Sequence, residues 1–540
     1  MSDTTANEPA RPTAPSEEQR AITGRAGIVA AGTLTSRVLG LGREQVLAAM
    51  FTRLESDAFY IAFTIPNLLR QILAEGAVQT GVLPVLAGVR EKEGDEAARR
   101  FFQRVRGLSL LVLFVACAAG MLAAPWLVRL FAGGFAEIPG QLERTVTLTR
   151  LFFPYILFMG TAALGLAALN TYGRYVVTAF APALLNVGFI LCALALPAAL
   201  LSQGHERTLA LVAGVWLGGV LQVIAQWPSL KKIDMLRPPQ LSLRDPEIRR
   251  VVQRLGPVAF GMGVYYVDVM VARNFLSEEG IGATSYFNYA QRLCDLPQGI
   301  FIMALQAATL PSLSRLVAQN DLDEVRRTFA YGARLALFVA VPASLLLAAL
   351  AQPLVVLVFQ RGHFDAEASL QTARALTAQG LGIWMVALTR QLQGVYYALG
   401  DTRTPALVSL CDFGVFLALC LLLRGPLGHV GISWAVTGSA GAQMVLLWIV
   451  MKRRLHDLGS GEILRSLAHT LTCATPAALV SAAIAHVLTP FGTDAWTRLL
   501  PGSVAACSFV GIFVGVSWIT KSRELLAIRD ALARRRGRGR

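Results

Sequence analysis

The sequence is short of charge: 15% of its 540 residues are Asp, Glu, Lys or Arg while 54% are hydrophobic, where soluble domains carry about 25% charged residues. A soluble globule is excluded on that count. There is no CxxC pair, HExxH or Walker motif, and the six histidines are scattered. Metal-dependent hydrolysis and ATP-driven work therefore lack their usual residues. The seven cysteines (Cys117, Cys192, Cys294, Cys411, Cys420, Cys473 and Cys507) lie singly in apolar runs, as small packing residues do. No helix-end cluster joins a nucleophile, a base and an oxyanion donor, so no enzyme is expected. The residues before Gly24 are polar, without a basic stretch leading into a short apolar core and cleavage site. No signal peptide is expected there, and residues 1–23 read as a disordered cytoplasmic tail.

What the chain does have is apolar runs. Stretches of about 20 residues, the length that crosses a hydrocarbon core, recur from Ala26 to Ile519. They place about fourteen transmembrane helices, near 24–52, 57–89, 107–132, 147–171, 176–201, 208–229, 251–277, 281–314, 333–360, 367–399, 404–423, 430–451, 466–489 and 498–520. The fold class expected is an all-α integral membrane protein.

The net charge of +15 is informative through its placement. With both termini cytoplasmic, thirty-three lysines and arginines fall on the cytoplasmic side, and only Arg53, Arg144, Arg207, Arg361, Arg424 and Arg498 on the other. That imbalance fixes the orientation by the positive-inside rule. The tail 521–540 is basic, as a segment drawn to anionic lipid headgroups would be. No nucleic-acid partner is expected.

The chain also repeats at an offset near 228 residues. Pro125, Phe131, Glu96 and Phe101 fall on Pro353, Phe359, Glu324 and Phe329, and one register earlier Gln79, Leu83, Pro84 and Leu86 fall on Gln306, Leu310, Pro311 and Leu313. An offset of six helices returns the second copy in the same orientation, which predicts two parallel lobes able to rock about an axis along the membrane normal. The lobes are expected over 24–230 and 247–452, and the last pair of helices, 463–520, has no counterpart.

Ten arginines fall within the expected helices. A charge near the bilayer centre costs at least about 2.5–3.5 kcal/mol, so it must face a partner or a water-filled space. Arg129, Arg150, Arg254 and Arg374 lie near helix ends and can snorkel. Arg37 and Arg43 lie deeper, beside Gly40 and Gly42, and Arg70 follows in IPNLLRQILAEGA. None has an acid on the same face of its own helix, since Glu75 lies about 140° round from Arg70. Arg292 in YAQRLCDLPQG has Asp295 at i+3, close enough for an ion pair. Guanidinium groups stay charged and grip phosphate oxygens in pairs, so these four are candidate anion ligands. Asp268 and Asp412, with Thr437 and Ser433, read either as an oxygen cage for a cation or as carboxyls that are protonated or paired with Arg273 or Arg390.

The runs SRVLGLGRE and SDAFYIAFTIPNLLRQILAEGAVQTGVLPVL, followed by FFPYILF, LNTYGRYVVTAFAPALLN, QWPSLKKI, FNYAQRLCDLPQGIF and TLPSLSRL, resemble the MviN/MurJ family of lipid II flippases. The resemblance covers about residues 24–520 and is weakest in the last two helices. It implies two six-helix lobes around a cationic cavity, with the extra pair lining a groove for a polyprenyl tail. By the matching motifs Arg37, Arg43, Arg70 and Arg292 would bind substrate, and Asp57, Glu75 and Asp295 would belong to a gating charge network. Asp268, Asp412 and Thr437 resemble a sodium site of some members, which makes Na+ a candidate coupling ion; no other cofactor is implied. Gln291 and Asp295 depart from the Asp and Glu that relatives can carry there. The implied function is translocation of lipid II across the bacterial inner membrane by alternating access, with cell-wall synthases as candidate partners. The rivals are a cation-coupled exporter of drugs or other lipid-linked oligosaccharides with the same fold, and a scaffold built on a degenerate transporter core.

Overall fold

In the computed structural model the residues described are 17–76, 78–242, 246–489 and 497–537, and among them there is no β-strand. Each of the fourteen expected segments falls on helix. Among the described residues nine helices, some made of two or three consecutive elements, are long and apolar enough to cross a membrane. Most of the other segments are interrupted. In lipid the backbone must satisfy its own hydrogen bonds, which leaves helix as the form for such a chain.

The first lobe runs through α1 (Glu17–Met50), α2 (Arg53–Arg70), α3 (Leu83–Phe131), α4 (Gln141–Phe152), α5 (Tyr155–Thr171), α6 (Tyr175–Phe180), α7 (Ala183–Ala195), α8 (Pro197–Ser202) and α9 (Leu209–Lys232). α1 begins inside the stretch expected to be disordered; residues 1–16 lie outside the described ones. α2 opens on a capping box, in which the Thr52 hydroxyl accepts from the Glu55 N–H and Glu55 accepts from the Thr52 N–H at 2.8 Å. Past Arg70 the helix widens into π-helical turns at Gln71–Gly76 and Val78–Val82. α3 then carries the chain across a break at Gly94, whose φ of 84° a side chain would disfavour. α7 and α9 cross closely because small residues face each other: a Cβ on Gly188 would lie 2.5 Å from the Gly218 nitrogen.

The second lobe comprises α10 (Pro246–Glu278), α11 (Ala283–Pro297), α12 (Met303–Ala318), α13 (Leu322–Ala349), α14 (Ala351–Phe359), α15 (Ala366–Gly380), α16 (Ile383–Ala398), α17 (Arg403–Leu427) and α18 (His429–Leu455). A π-helical turn, Gln298–Ile302, joins α11 to α12. It falls where the 227-residue offset places the turn that begins at Gln71, so the two lobes share the feature. α19 (Ser460–Leu488) and α20 (Leu500–Ile519) pack on each other, α19 against α13 and α20 against α14. Phe338 and Leu350 join Phe509 and Phe513 in one buried cluster there. The basic tail folds as α21 (Arg523–Gly537), with Glu524 buried against the Ser466 hydroxyl at 2.8 Å.

The lobes meet where α2 faces α11. The Asp57 carboxylate, 1% exposed, accepts from the Gly282 N–H (2.6 Å), the Ser285 N–H (2.8 Å) and the Ser285 hydroxyl (2.6 Å). Asp57 and Ser285 are 228 residues apart, the offset of the sequence repeat, so positions one repeat apart touch each other. Outward from the fold, Phe114, Leu122, Trp126, Leu422, Leu479 and Ile519 are exposed, as a lipid-facing surface requires and a soluble one would not tolerate in such numbers.

Candidate functional site

Between the lobes lies a cavity of about 1420 Å³, walled by α1, α2, α5, α6 and α7 on one side and by α11, its π-helical turn, α12 and α16 on the other. It reaches Val29, Thr33, Thr171 and Tyr175, the end of the molecule at which the basic loops gather. The opposite end is shut by bonds between lobes. There Arg53 pairs with Asp365, Arg207 donates to His363 Nε2 at 3.2 Å, and the His363 N–H reaches the Ala49 carbonyl at 2.9 Å. Asp57 closes the same end on α11. Burial raises the Asp365 carboxyl, and the Ala368 N–H together with the Arg53 guanidinium outweighs it, leaving a net shift below the usual range.

All four candidate arginines line this cavity, and Asp295 lies among them. Arg37, on α1, crosses to the second lobe and donates to the Asp295 carbonyl at 3.1 Å, with Met303 Sδ 3.8 Å away. Arg43 is 8% exposed and has no acid on the same face of its helix, yet its NH2 turns to within 2.6 Å of Oε1 of the adjacent Glu44, and its guanidinium stands over Phe189. Arg292 gives its Nε to the same Glu44 oxygen at 3.1 Å and sits 3.7 Å from Asp295, the i+3 pair expected. Nearly half of its side chain, 46%, remains open to the cavity. Arg70 donates to Asn67 at 2.9 Å. The side chain of Glu75 lies outside the described residues, so its place in a charge network is not described.

The sequence alone does not mark two further residues, one buried behind the cavity wall and one on it. Glu44 is fully buried and takes hydrogen bonds from Arg43, Arg292 and the Tyr60 hydroxyl. It ties an arginine of each lobe to one carboxylate, as a buried acid must be tied. An acid directly after a deep arginine was the available signal. Arg390, on α16, lines the cavity with its Nε buried and without a hydrogen-bond partner. It was weighed only as a counter-ion for Asp268 or Asp412.

Those two carboxylates stand elsewhere. Asp268 on α10 and Asp412 on α17 are close enough for their charges to interact, and each has a buried Oδ1 without a hydrogen-bond partner. Neither is paired with an arginine among the described residues: Arg273 donates to Asn288 at 2.7 Å instead. Orphaned carboxylate oxygens suit a cation or a proton. Thr437 has committed its hydroxyl hydrogen to the Ala378 carbonyl at 2.7 Å, leaving its lone pairs. Ser433 already donates to His429 and accepts from Gln379. A smaller apolar pocket of about 500 Å³ runs past Thr437 between α16, α17 and α18, away from α19 and α20.

Residues 46–500 match the family model described as lipid II flippase MurJ. The lipid II flippase MurJ of Burkholderia cenocepacia is 34% identical over 505 residues, covering 90% of this chain and 95% of that protein. A probable lipid II flippase MurJ of Vibrio cholerae is 32% identical, covering 81% and 83%. Among solved structures, a lipid II flippase MurJ in an inward closed conformation matches with TM-score 0.70 at 19% identity, over 90% of this chain and 98% of that one. An inward-facing multidrug resistance MATE family transporter of the MOP superfamily matches with TM-score 0.65 at 14% identity, over 79% and 96%. At such identities the solved structures speak for the fold.

Proposed function

The chain belongs to the lipid II flippase MurJ family, and from that premise we propose that it carries lipid II across the bacterial inner membrane with its diphosphate held by Arg37, Arg43, Arg70 and Arg292. It is a transporter and not an enzyme. The observation that carries the reading is the arginine-lined cavity between two parallel lobes, open toward the basic end. Hydrocarbon excludes a diphosphate, whereas guanidinium groups in a water-filled chamber neutralise it and bond its oxygens in pairs. The headgroup enters from the cytoplasmic side, where both termini lie by the positive-inside rule. The polyprenyl tail stays in lipid, beside the exposed apolar rim of Val38, Ile300 and Phe301.

Rocking then breaks the seam made by Asp57, Arg53 and Arg207 and exposes the headgroup outside. The membrane potential, worth about 2.3 kcal/mol per charge per 100 mV, biases the cycle. Asp268 and Asp412, with the Thr437 oxygen, are the residues that would hold a sodium ion, which would supply counter-charge in the second lobe. Synthases that consume the translocated precursor are the partners expected outside. A drug exporter for organic cations is disfavoured because the cavity presents five arginines against Asp295, which repel a cationic cargo.

The test is complementation. A host depleted of its own flippase receives this chain or its Arg70→Ala form, and lipid II in the outer leaflet is measured. The unaltered chain restores it and the variant does not. Equal restoration by both removes the site assignment.

A further inference from the structure

Arg37 reaches across the cavity to a place where the second lobe has no side chain. A Cβ built on Gly299 would lie 1.8 Å from Arg37 NH1, 1.9 Å from its Cζ and 2.0 Å from its NH2, and these are the three nearest atoms. The guanidinium thus occupies the volume that any other residue at 299 would fill. Gly299 lies in the π-helical turn Gln298–Ile302, and such turns gather at functional positions because they disturb the regular hydrogen-bond ladder. What the seat offers Arg37 is the Asp295 carbonyl and a thioether. Neither is an anion; the Asp295 carboxylate is near enough for its charge to act on Arg37 but pairs with Arg292, and the Arg37 Nε is buried without a hydrogen-bond partner. A guanidinium held by a carbonyl dipole yields to a diphosphate, which adds full opposite charge and a second, parallel bond.

We propose that Gly299 is a positioning residue for the flipping cycle. Its missing side chain seats the Arg37 guanidinium on the second lobe, so that α1 is latched to the π-helical turn when the cavity is empty and released when a diphosphate draws Arg37 away. This rests on the reading of the cavity as a diphosphate site. The clash concerns only the far end of a flexible side chain, so Gly299→Ala displaces the guanidinium while leaving the backbone in place.

The experiment is a double-mutant cycle on the full-length purified protein: unaltered, Gly299→Ala, Arg37→Ala and both together. It reads the binding of inorganic pyrophosphate and the flipping of lipid II in proteoliposomes. With Arg37 freed from its seat, Gly299→Ala binds pyrophosphate about tenfold more tightly, the scale of one hydrogen bond to a charged group. It also flips more slowly by a similar factor, since the latch no longer re-forms. In the Arg37→Ala background the added methyl changes neither quantity. Equal effects in both backgrounds, or no tightening with Arg37 present, overturn the proposal while leaving the cavity reading intact. Should Gly299→Ala fail to fold, the double variant decides: it folds if the guanidinium is what the methyl strikes, and failure of both makes Gly299 a structural glycine and ends the proposal. Unaltered protein that binds no pyrophosphate brings down the cavity reading, and the proposal with it.

Discussion

Replacing Glu44 by Gln keeps the shape of the side chain and an acceptor for Tyr60, and removes the negative charge between two guanidinium groups. The two groups are not equally exposed. The Arg43 side chain is 9% exposed and that of Glu44 0%, so that pair is a buried one, and breaking it by losing one partner costs about 3–5 kcal/mol. Arg292 keeps 46% of its side chain open to the cavity, where water screens it, and its share falls to the surface range of about 0–1 kcal/mol. Together the two put the lost stability at about 3–6 kcal/mol. The same change removes the counter-charge of Arg43 and Arg292, which line the cavity, so a diphosphate there is held more strongly. Unfolding of the purified protein, followed with and without inorganic pyrophosphate, separates the two effects. Glu44→Gln unfolds more easily when empty and is stabilised more by pyrophosphate than the unaltered chain. Stability within about 0.5 kcal/mol of the unaltered protein, the range of an ordinary surface substitution, refutes the reasoning, as does a smaller gain from the ligand.

Asp57→Ala strands the N–H groups of Gly282 and Ser285 that it now satisfies, at about 1–3 kcal/mol each. A cysteine placed in the cavity is then labelled faster by an impermeant thiol reagent from the side away from the basic loops, and unchanged labelling counts against the seam. Arg53→Ala does far less, about 0–1 kcal/mol, because both partners of the Arg53–Asp365 pair are partly exposed. Gly107→Ala puts a methyl 2.2 Å from the Gln240 carbonyl oxygen, a backbone atom that must shift, at a cost of about 1–3 kcal/mol; faster proteolysis within residues 233–242 reports it. Hydrogen bonds from Arg237 hold Glu96 and Asp234 below the usual carboxylate range. A depressed value contributes stability above the unfolded value and loses it only as pH falls through the folded one. The contacts of α3 with the linker between the lobes therefore persist from pH 7 to 5 and weaken below about pH 4; linker proteolysis that rises between pH 7 and 5 contradicts this.

What depends on period was legible in the chain: each apolar run falls on helix, although nine helices among the described residues, not fourteen, are long and apolar enough to cross a membrane. The match of Pro125 with Pro353 and Phe131 with Phe359 is what points to two parallel lobes. The arginines declared themselves because charge in hydrocarbon is costly wherever it lies. What failed to show was whatever depends on contact between distant segments. Glu44 reads as one acid among many until α1 and α11 are brought together, and only then do Arg43 and Arg292 share it. Arg390 reads only as a counter-ion because nothing in the sequence says which face of α16 meets the cavity. The π-helical turn at Gln298–Ile302 carries no composition of its own, and so the space that Gly299 leaves for Arg37 has no counterpart in any motif.

The arrangement of bonds between the lobes sets which way the empty transporter faces. At the end away from the basic loops Asp57 receives three hydrogen bonds from α11, all but free of water. Bonds to a charged group are worth about 1.5–3 kcal/mol each, and although burying the carboxylate offsets part of their sum, this carboxylate is the main contributor to keeping that end shut. The exposed Arg53–Asp365 and Arg207–His363 contacts add little more. Along the α1 face of the cavity, the bonds joining the lobes among the described residues are the Arg37 contacts and the Glu44–Arg292 pair. Both sets are made together here, so a lobe rotation that opened the Asp57 end without cargo would give up the stronger set and gain no bond in return. Outward opening therefore requires contacts that only an occupied cavity supplies, and a diphosphate drawing arginines of both lobes onto itself is such a source. On this balance an empty cavity rests facing the cytoplasm, and Asp57→Asn, which keeps one acceptor oxygen but removes the charge, shifts the empty protein outward and shortens the time it spends accessible to substrate.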